Sequence, residues 1–358
     1  MLGIKDRILA EDIRELAGKE EFAEKLRNCT VFVTGATGLL GSQLVLALLG
    51  MNQVQDVGIR VVGMARSKEK VRRVFGSAAD EDALCFYYGN VEEPVCYEGS
   101  VDYVVHGASA TSSKYFVTNP VETIMTAIKG TRHILEFARE KGVKGMVYLS
   151  SLEVYGTPDG KKEWMKEDDY GYLDPLSVRS SYSEGKRMVE CLCASYAKEY
   201  EVPIKVARLS QTFGAGVDYH DGRVFAEFAR CAVEQKDIVL HTKGNTVRSY
   251  CYAKDAIGAI LYVLLKGNCG EAYNVTNMDT AVSIREMAQM VSGLYPDKPI
   301  SVRVEIPEDV AAFGYNPEMV IKLDSTKLQG LGWKPTVGLR EMFLRMIESG
   351  FLNREDNE

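Results

Sequence analysis

The chain has 358 residues, 46% of them hydrophobic and 26% charged, and a net charge of −7. At roughly 150 residues per domain, this length predicts two lobes that can bury a full core. The acidic balance, without a basic cluster, argues against nucleic-acid or anionic-membrane partners.

The cysteine and histidine pattern indicates reduced thiols and no metal. Eight cysteines form no C-x-x-C pair, and four histidines show no zinc-ligand spacing. The chain also has no apolar run of about 18 residues and no basic-then-apolar leader at its start. We therefore expect a cytoplasmic protein without a membrane span.

The chain begins with a helical segment and then a strand, a turn and a helix. Residues 1–28 place apolar side chains at near-helical spacing among charges, which predicts one or two amphipathic helices. A β-branched run at 29–34 follows, then a glycine-rich turn and a helical pattern at 40–49.

The pattern then alternates between short apolar runs and helical segments. The apolar runs are 59–64, 84–88, 101–105, 145–150 and 204–208, and the helical segments between them include 120–141 and 183–200. This alternation predicts an α/β fold with a doubly wound parallel sheet. After about residue 209, longer helices at 223–235, 254–266, 283–293 and 338–349 indicate a smaller second lobe. We therefore predict an N-terminal extension at 1–28, a main domain at 29–208 and a lobe at 209–358, with some interleaving.

The glycine-rich turn predicts a dinucleotide site. Gly35, Gly38 and Gly41 lie between the first strand and the first helix, together with Thr37 and Leu39. In this context the glycines permit a tight turn, a close approach to a pyrophosphate and close helix-to-strand packing. The main domain is therefore predicted to be a Rossmann-type NAD(P)-binding domain.

The choice between the two nicotinamide cofactors stays open. The second strand runs into Arg66 and has no acidic residue where the adenosine ribose would bind. An arginine there can pair with a 2′-phosphate, so NADP is an alternative to NAD.

A tyrosine and a lysine predict chemistry at an alcohol. Tyr182 and Lys186 are four residues apart, so they share one face of a helix. The nearby cation and a nicotinamide ring are expected to lower the tyrosine pKa from about 10 toward neutrality, so that the phenolate acts as a base. Upstream, Ser151 and Glu153 end a buried strand at the edge where such sheets bind ligands.

Together, these residues resemble the signature of the extended short-chain dehydrogenase/reductase family over about residues 28–300. The resemblance is carried by the glycine turn and by segments 106–109, 119–120, 151–156, 182–187, 212–214, 221–224 and 247–250, with Arg179. Within the family, the chain is most similar to UDP-glucuronate decarboxylases and less so to nucleotide-sugar 4-epimerases and 4,6-dehydratases.

The resemblance implies specific roles. Ser151, Tyr182 and Lys186 would act on the sugar C4 hydroxyl, and Glu153 would act in a later step. The cofactor would also contact Asn90, Val91 and Ala108. The substrate, a nucleotide sugar that we expect to be UDP-linked, would contact Arg179, Gln211, Arg223 and Arg248. A homodimer formed through the helices near 120–140 and 183–200 is implied as well.

Four functions are compatible with these residues. Transient C4 oxidation followed by loss of carbon dioxide would make a decarboxylase, whereas rotation of the keto sugar would make a 4-epimerase. A 4,6-dehydratase is disfavoured because Leu152 stands where that pattern has an acidic aspartate. A non-catalytic cofactor-binding regulator is the alternative outside enzyme chemistry.

Three positions depart from the family pattern. Leu152 also replaces a small polar residue expected in decarboxylases. Ala127 and Gln211 each stand where the family usually has an asparagine. These departures bear on the substrate more than on the fold.

Overall fold

The computed structural model describes residues 2–306 and 318–351. Its strands are β1 Thr30–Thr34, β2 Arg60–Ala65, β3 Leu84–Tyr88, β4 Tyr103–His106, β5 Gly145–Ser151, β6 Ile204–Leu209, β7 Gln211–Phe213, β8 Ile238–Leu240, β9 Val247–Tyr252, β10 Ala272–Val275, β11 Asn277–Ser283, β12 Val302–Val304 and β13 Val320–Ile321. Its α-helices are α1 Arg7–Ala17, α2 Glu20–Leu26, α3 Leu39–Gln55, α4 Lys68–Phe75, α5 Ser113–Thr118, α6 Pro120–Lys141, α7 Ser180–Glu199, α8 Val224–Glu234, α9 Ala253–Lys266, α10 Ile284–Ser292, α11 Thr326–Gln329 and α12 Leu339–Met346. Short 3₁₀ helices span Gly76–Asp80 and Leu152–Tyr155, and a π-helical turn spans Ile347–Phe351.

The main sheet is parallel throughout the described residues. Its seven strands run in the order β10-β6-β5-β4-β1-β2-β3. The strand order reverses between β1 and β4, and in such sheets ligands bind in the crevice at this point, beyond the carboxyl ends of the strands. The predicted doubly wound α/β fold is confirmed.

Two apolar layers cover the main sheet. On one face, buried side chains of α3 and α9 form the largest core cluster. On the other, α6 and α7 pack together over residues such as Phe32 and Met146. Both faces of the strands are therefore buried, which explains why the sequence shows near-continuous apolar runs rather than alternation.

The second lobe has its own core. There β9 pairs with β7, β11 and β13, while β8 pairs with β12. The rings of Phe213 and Phe225 stack 4.4 Å apart, and α8, α10 and α12 supply most of the surrounding buried residues. Two elements from the 209–358 range, α9 and β10, belong to the main sheet and its core instead. Residues 307–317 and 352–358 of this range lie outside the described residues.

The N-terminal extension joins both lobes. Ile13 and Phe22 of α1 and α2 are fully buried in the main core. At the other side of α1, Asp12 is 1% exposed and accepts hydrogen bonds from the Tyr252 hydroxyl at 2.6 Å and from Nη2 of Arg345 at 2.7 Å. Burial raises the pKa of Asp12, although both partners oppose this effect. The extension is therefore part of the folded core and connects α3 and α9 to α12.

We predict that Asp12→Ala lowers the free energy of unfolding by about 3 kcal/mol, because it leaves the Arg345 guanidinium without its buried partner. Glu11→Ala is the matched control, since Glu11 is 38% exposed and should contribute less than about 1 kcal/mol. Urea unfolding followed by circular dichroism measures both variants. Equal losses in the two variants would contradict this role of Asp12.

Candidate active site

The glycine-rich turn is packed backbone against backbone. Gly35 has φ +70°, and a Cβ atom there would lie 2.8 Å from the carbonyl carbon of Gly107. A Cβ atom on Gly41 would lie 2.1 Å from the carbonyl oxygen of Gly35. Neither contact is sterically possible, so both positions require glycine for the close approach of β1, β4 and α3.

The N-terminus of α3 is arranged to receive an anion. Gly38 is the N-cap residue, so no side chain caps the helix, and a Cβ atom there would meet only the Gly35 carbonyl oxygen, at 3.3 Å. The first N–H groups of a helix, with its dipole, bind phosphate well. The geometry of this cradle suits the pyrophosphate of a dinucleotide. Thr37 lies in the same turn, and Leu39 opens the helix and packs against the core of the second lobe.

The other predicted cofactor residues follow neighbouring strands. Arg66 is exposed just after β2, and Asn90 is exposed two residues after β3. Val91 is buried, and Ala108, after β4, donates its N–H to Oγ1 of Thr34 at 3.1 Å. All of them therefore lie at the carboxyl edge of the sheet, beside the glycine turn.

A buried histidine supports this turn from behind. Nδ1 of His106 lies 2.7 Å from Oγ1 of Thr34, and Nε2 lies 3.1 Å from Oγ1 of Thr131. Burial, and to a smaller extent the charge of Lys186, lowers the pKa of His106 to about 3. The imidazole is therefore neutral and fixes the position of Thr34.

Lys186 is anchored to the strand that precedes the site. Its Nζ donates to the carbonyl oxygen of Leu149 at 2.8 Å and lies 5.6 Å from the ring centre of Tyr182. Burial lowers the pKa of Lys186 to about 8, while the negative charge of Glu190 acts in the opposite direction. Lys186 is thus positioned by β5 and brought close to Tyr182 by α7.

The pKa of Tyr182 differs from the expectation. Burial raises the pKa of this tyrosine, the charge of Glu153 raises it further, and a hydrogen bond from Ser151 and the charge of Arg179 lower it only in part. Lys186 is not among the groups that lower this pKa in the cofactor-free protein, since its ammonium is directed at the Leu149 carbonyl. The hydrogen bond to Ser151 does bring together the two hydroxyl groups predicted to act on the sugar.

Glu153 is held by two neighbours. Nη1 and Nη2 of Arg179 donate to its two carboxylate oxygens, each at 3.1 Å, and Oγ of Ser183 donates to Oε2 at 3.0 Å. Arg179, predicted as a substrate contact, is thus paired with a protein carboxylate. The sequence analysis did not predict the pairing of Arg179 with Glu153. It also did not predict the contact from Ser183, which directly follows Tyr182 in the chain.

An aromatic ring connects this pair with Tyr182. Phe116 stacks on the Tyr182 ring with centroids 4.2 Å apart and an interplanar angle of 11°. The Arg179 guanidinium lies 5.2 Å from the centre of the same Phe116 ring. Phe116 was not among the predicted residues, because its place beside the site depends on how α5 packs.

The remaining predicted substrate residues lie in the second lobe. Gln211 begins β7 opposite Tyr250 of β9, and Arg248 lies on β9 with Nη2 3.7 Å from Sδ of Met319. Arg223, at the start of α8, pairs with Asp221 at 2.6 Å. Ser151 at the end of β5 is paired in register with Leu209 at the end of β6. Gln211 follows Leu209 by two residues, so it lies at the same edge of the sheet as Ser151.

The two other departures have structural explanations. Leu152 is 2% exposed in an apolar cluster with Met165 and Leu323, which Met319 also contacts. Ala127 of α6 faces Gly185 of α7, and a Cβ atom added to Gly185 would lie 3.6 Å from the Cβ atom of Ala127. The small side chain of Ala127 therefore lets the two helices pack closely. Leu152 therefore helps to join the lobes, and Ala127 packs next to the residue before Lys186.

A buried ionic network lies behind Lys186, and sequence reasoning missed it. Nη2 of Arg208 donates to Glu190 at 2.7 Å, Ser150 donates to the same carboxylate, and Nη1 of Arg208 donates to Tyr155 at 3.0 Å. Arg208 is 2% exposed. Arg208, a charged residue within the buried strand β6, is the signal that could have revealed this network.

The described part of the chain holds neither a metal-ligand cluster nor a membrane-spanning helix. Within residues 2–306 and 318–349, no three histidine, cysteine, aspartate or glutamate side chains come together as metal ligands. None of the helices in the same ranges has the length and apolar character needed to cross a bilayer.

Comparison with known proteins identifies the family. Residues 31–276 match the family described as NAD dependent epimerase/dehydratase family. The chain belongs to this family. It is therefore an NAD-dependent enzyme of the extended short-chain dehydrogenase/reductase type, and this part of the sequence prediction is confirmed.

Individual relatives and structures agree with this assignment. The chain is 30% identical to UDP-glucuronic acid decarboxylase 6 of Arabidopsis thaliana, over 90% of this chain and 89% of the relative. Its fold matches UDP-glucose 4-epimerase of Thermotoga maritima, solved with UDP-glucose, with a TM-score of 0.71, 24% identity and coverage of 89% and 98% of the two chains. It also matches the UDP-glucuronic acid 4-epimerase of Bacillus cereus, solved with UDP-glucuronic acid and NAD, with a TM-score of 0.72, 21% identity and the same coverage.

We predict that Gly41→Ala weakens NAD binding by about tenfold or more, equivalent to about 1.4 kcal/mol. The added methyl group would displace the Gly35 carbonyl and with it the phosphate cradle. Calorimetric titration of the cofactor-free protein measures the effect. Gly293→Ala is the control, because its added Cβ atom would only reach ordinary contacts at 3.9 Å. NAD affinity of the Gly41 variant equal to that of the control would contradict this account.

Proposed function

We propose that the chain is a UDP-glucuronate decarboxylase that forms UDP-xylose through transient oxidation at C4 of the sugar. The observation that carries the proposal is the grouping of Ser151, Glu153, Tyr182 and Lys186 at the end of β5, beside the dinucleotide cradle. The named decarboxylase at 30% identity over nearly the whole chain supports this choice of substrate.

The first step uses the two hydrogen-bonded hydroxyl groups. Ser151 binds the C4 hydroxyl group of the sugar, and Tyr182 accepts its proton as the C4 carbon is oxidised. NAD, held by the glycine turn and Lys186, would supply the hydride acceptor at this carbon and return the hydride at the end of the cycle. The positive charge of Lys186 and the bound nicotinamide would oppose the burial that raises the pKa of Tyr182.

The second step depends on the acid group of the substrate. With a carboxylate at C6, the 4-keto sugar is a β-keto acid, which loses carbon dioxide readily, and the enolate that remains takes up one proton from water at C5. Arg248 is suited to orient this carboxylate, since a guanidinium offers a planar pair of donors. Glu153 lies beside Tyr182, where it acts after the oxidation. Reduction of the C4 ketone then takes back the proton from Tyr182, so the sequence involves no net oxidation.

The alternatives differ in the step after the oxidation. A 4-epimerase would use the same Ser151, Tyr182 and Lys186 without losing carbon dioxide. A 4,6-dehydratase needs an acid beside Glu153, and Leu152 is buried in an apolar cluster and has no proton to donate. The intact tyrosine and lysine pair, together with the family assignment, argues against a purely regulatory protein.

Cofactor choice and assembly complete the proposal. NAD is the cofactor we propose, and Arg66, exposed after β2, is the feature that would favour NADP. We also propose a homodimer formed through α6 and α7, supported by Val121 and Met188, which are 64% and 56% exposed.

We predict that the purified protein, incubated with UDP-glucuronate and NAD, yields a product lighter by the mass of carbon dioxide. Mass spectrometry coupled to chromatography measures this directly. A product of unchanged mass with a new retention time would contradict the decarboxylase and favour the epimerase. Tyr182→Phe is the control: its rate should fall by about 10² or more, with NAD binding retained.

A further inference from the structure

Glu153 occupies the bidentate fork of the Arg179 guanidinium. Its two terminal nitrogens are both bound to Glu153, at 3.1 Å each. Its Nε–H is buried and has no hydrogen-bond partner, so this group is out of reach of a ligand that enters from solvent. Each Nη atom keeps a second N–H, but these two groups diverge, so a bidentate contact with a substrate carboxylate would require breaking the pair with Glu153.

The pairing of Arg179 with Glu153 also reduces the repulsion that the Glu153 carboxylate would exert on an acidic substrate. The Glu153 side chain is 15% exposed and that of Arg179 is 20% exposed, so water screens their charges poorly. Without its partner, the Glu153 carboxylate would repel a second carboxylate brought in by the sugar. Bidentate pairing with a guanidinium cancels that charge and also fixes the plane of the carboxylate.

The position of the pair relative to the base makes this relevant to the reaction. The Phe116 ring contacts both groups, with its centre 5.2 Å from the Arg179 guanidinium and 4.2 Å from the centre of the Tyr182 ring. Glu153 is close enough to raise the pKa of Tyr182, and Arg179 acts against it. The charged groups near Tyr182 are therefore Glu153, Arg179 and Lys186.

We propose that Arg179 is a positioning residue that selects for acidic sugars through Glu153. It holds the Glu153 carboxylate in one orientation and neutralises its charge toward the substrate, without contacting the substrate itself. This inference rests on the proposed function, because it takes the substrate to carry a carboxylate at C6.

A double-mutant cycle on substrate binding tests the proposal. The NAD-loaded proteins are wild type, Arg179→Met, Glu153→Gln and the double variant, and calorimetry measures their affinity for UDP-glucuronate and UDP-glucose. Binding is the readout because it remains measurable in variants that do not turn over. NAD content and thermal melting show that each variant is folded.

The expected result is a selective and conditional loss of affinity. In the wild-type background, Arg179→Met weakens UDP-glucuronate binding by about tenfold and UDP-glucose binding by less than about twofold. In the Glu153→Gln background, it changes the affinity for either sugar by less than about twofold. Arg179→Lys, which keeps the charge but not the bidentate fork, restores most of the affinity for UDP-glucuronate.

Arg248→Met is the matched comparison, since Arg248 is proposed to contact the substrate carboxylate. This variant should weaken UDP-glucuronate binding equally in both backgrounds. If Arg179→Met behaves in the same way, Arg179 contacts the substrate and the proposal is overturned, as it also is if Arg179→Met leaves the affinity for both sugars unchanged. Absence of carbon dioxide release by the wild type would instead overturn the proposed function, and the binding cycle would still report on Arg179.

Discussion

The seating of α7 on the carboxyl end of β5 is the constraint on which the site depends. Lys186 of α7 donates to the Leu149 carbonyl, and Glu190, one turn later, accepts from Ser150 and from the buried Arg208 of β6. These contacts fix the height and rotation of the helix relative to the strand. Since Tyr182 lies one turn before Lys186 on the same helix, its distance to Ser151 is set by the same contacts.

The second lobe is held against this frame by separate contacts. Leu152, directly after β5, packs with Leu323 near β13, and Asp12 of the N-terminal extension is bound by Tyr252 and Arg345. The proposed substrate residues of the second lobe, such as Arg248, are thereby held in a fixed position relative to the first lobe. The proposed active site thus draws on both lobes, and its geometry depends on elements that lie outside it.

The sequence predicts features set by neighbouring residues, such as helix ends and turns. It does not predict contacts between residues that are far apart in the chain. Helix α6 occupies the predicted 120–141, because its proline start and glycine end are readable along the chain. The need for glycine at position 41 was also readable from the strand and helix on either side. In contrast, the pairing of Arg179 with Glu153 joins residues 26 positions apart through a loop, and no spacing rule predicts it. The pKa of Tyr182 likewise depends on burial, which a motif does not reveal.

The central claim is that the sugar is oxidised at C4 and reduced again at the same carbon while carbon dioxide is lost. The most direct test is to follow deuterium placed at C4 of UDP-glucuronate through the reaction by mass spectrometry. The account predicts a product that has lost carbon dioxide and keeps its deuterium, because a hydride held inside the protein does not exchange with water. A decarboxylated product without deuterium, or with solvent hydrogen at C4, would contradict it.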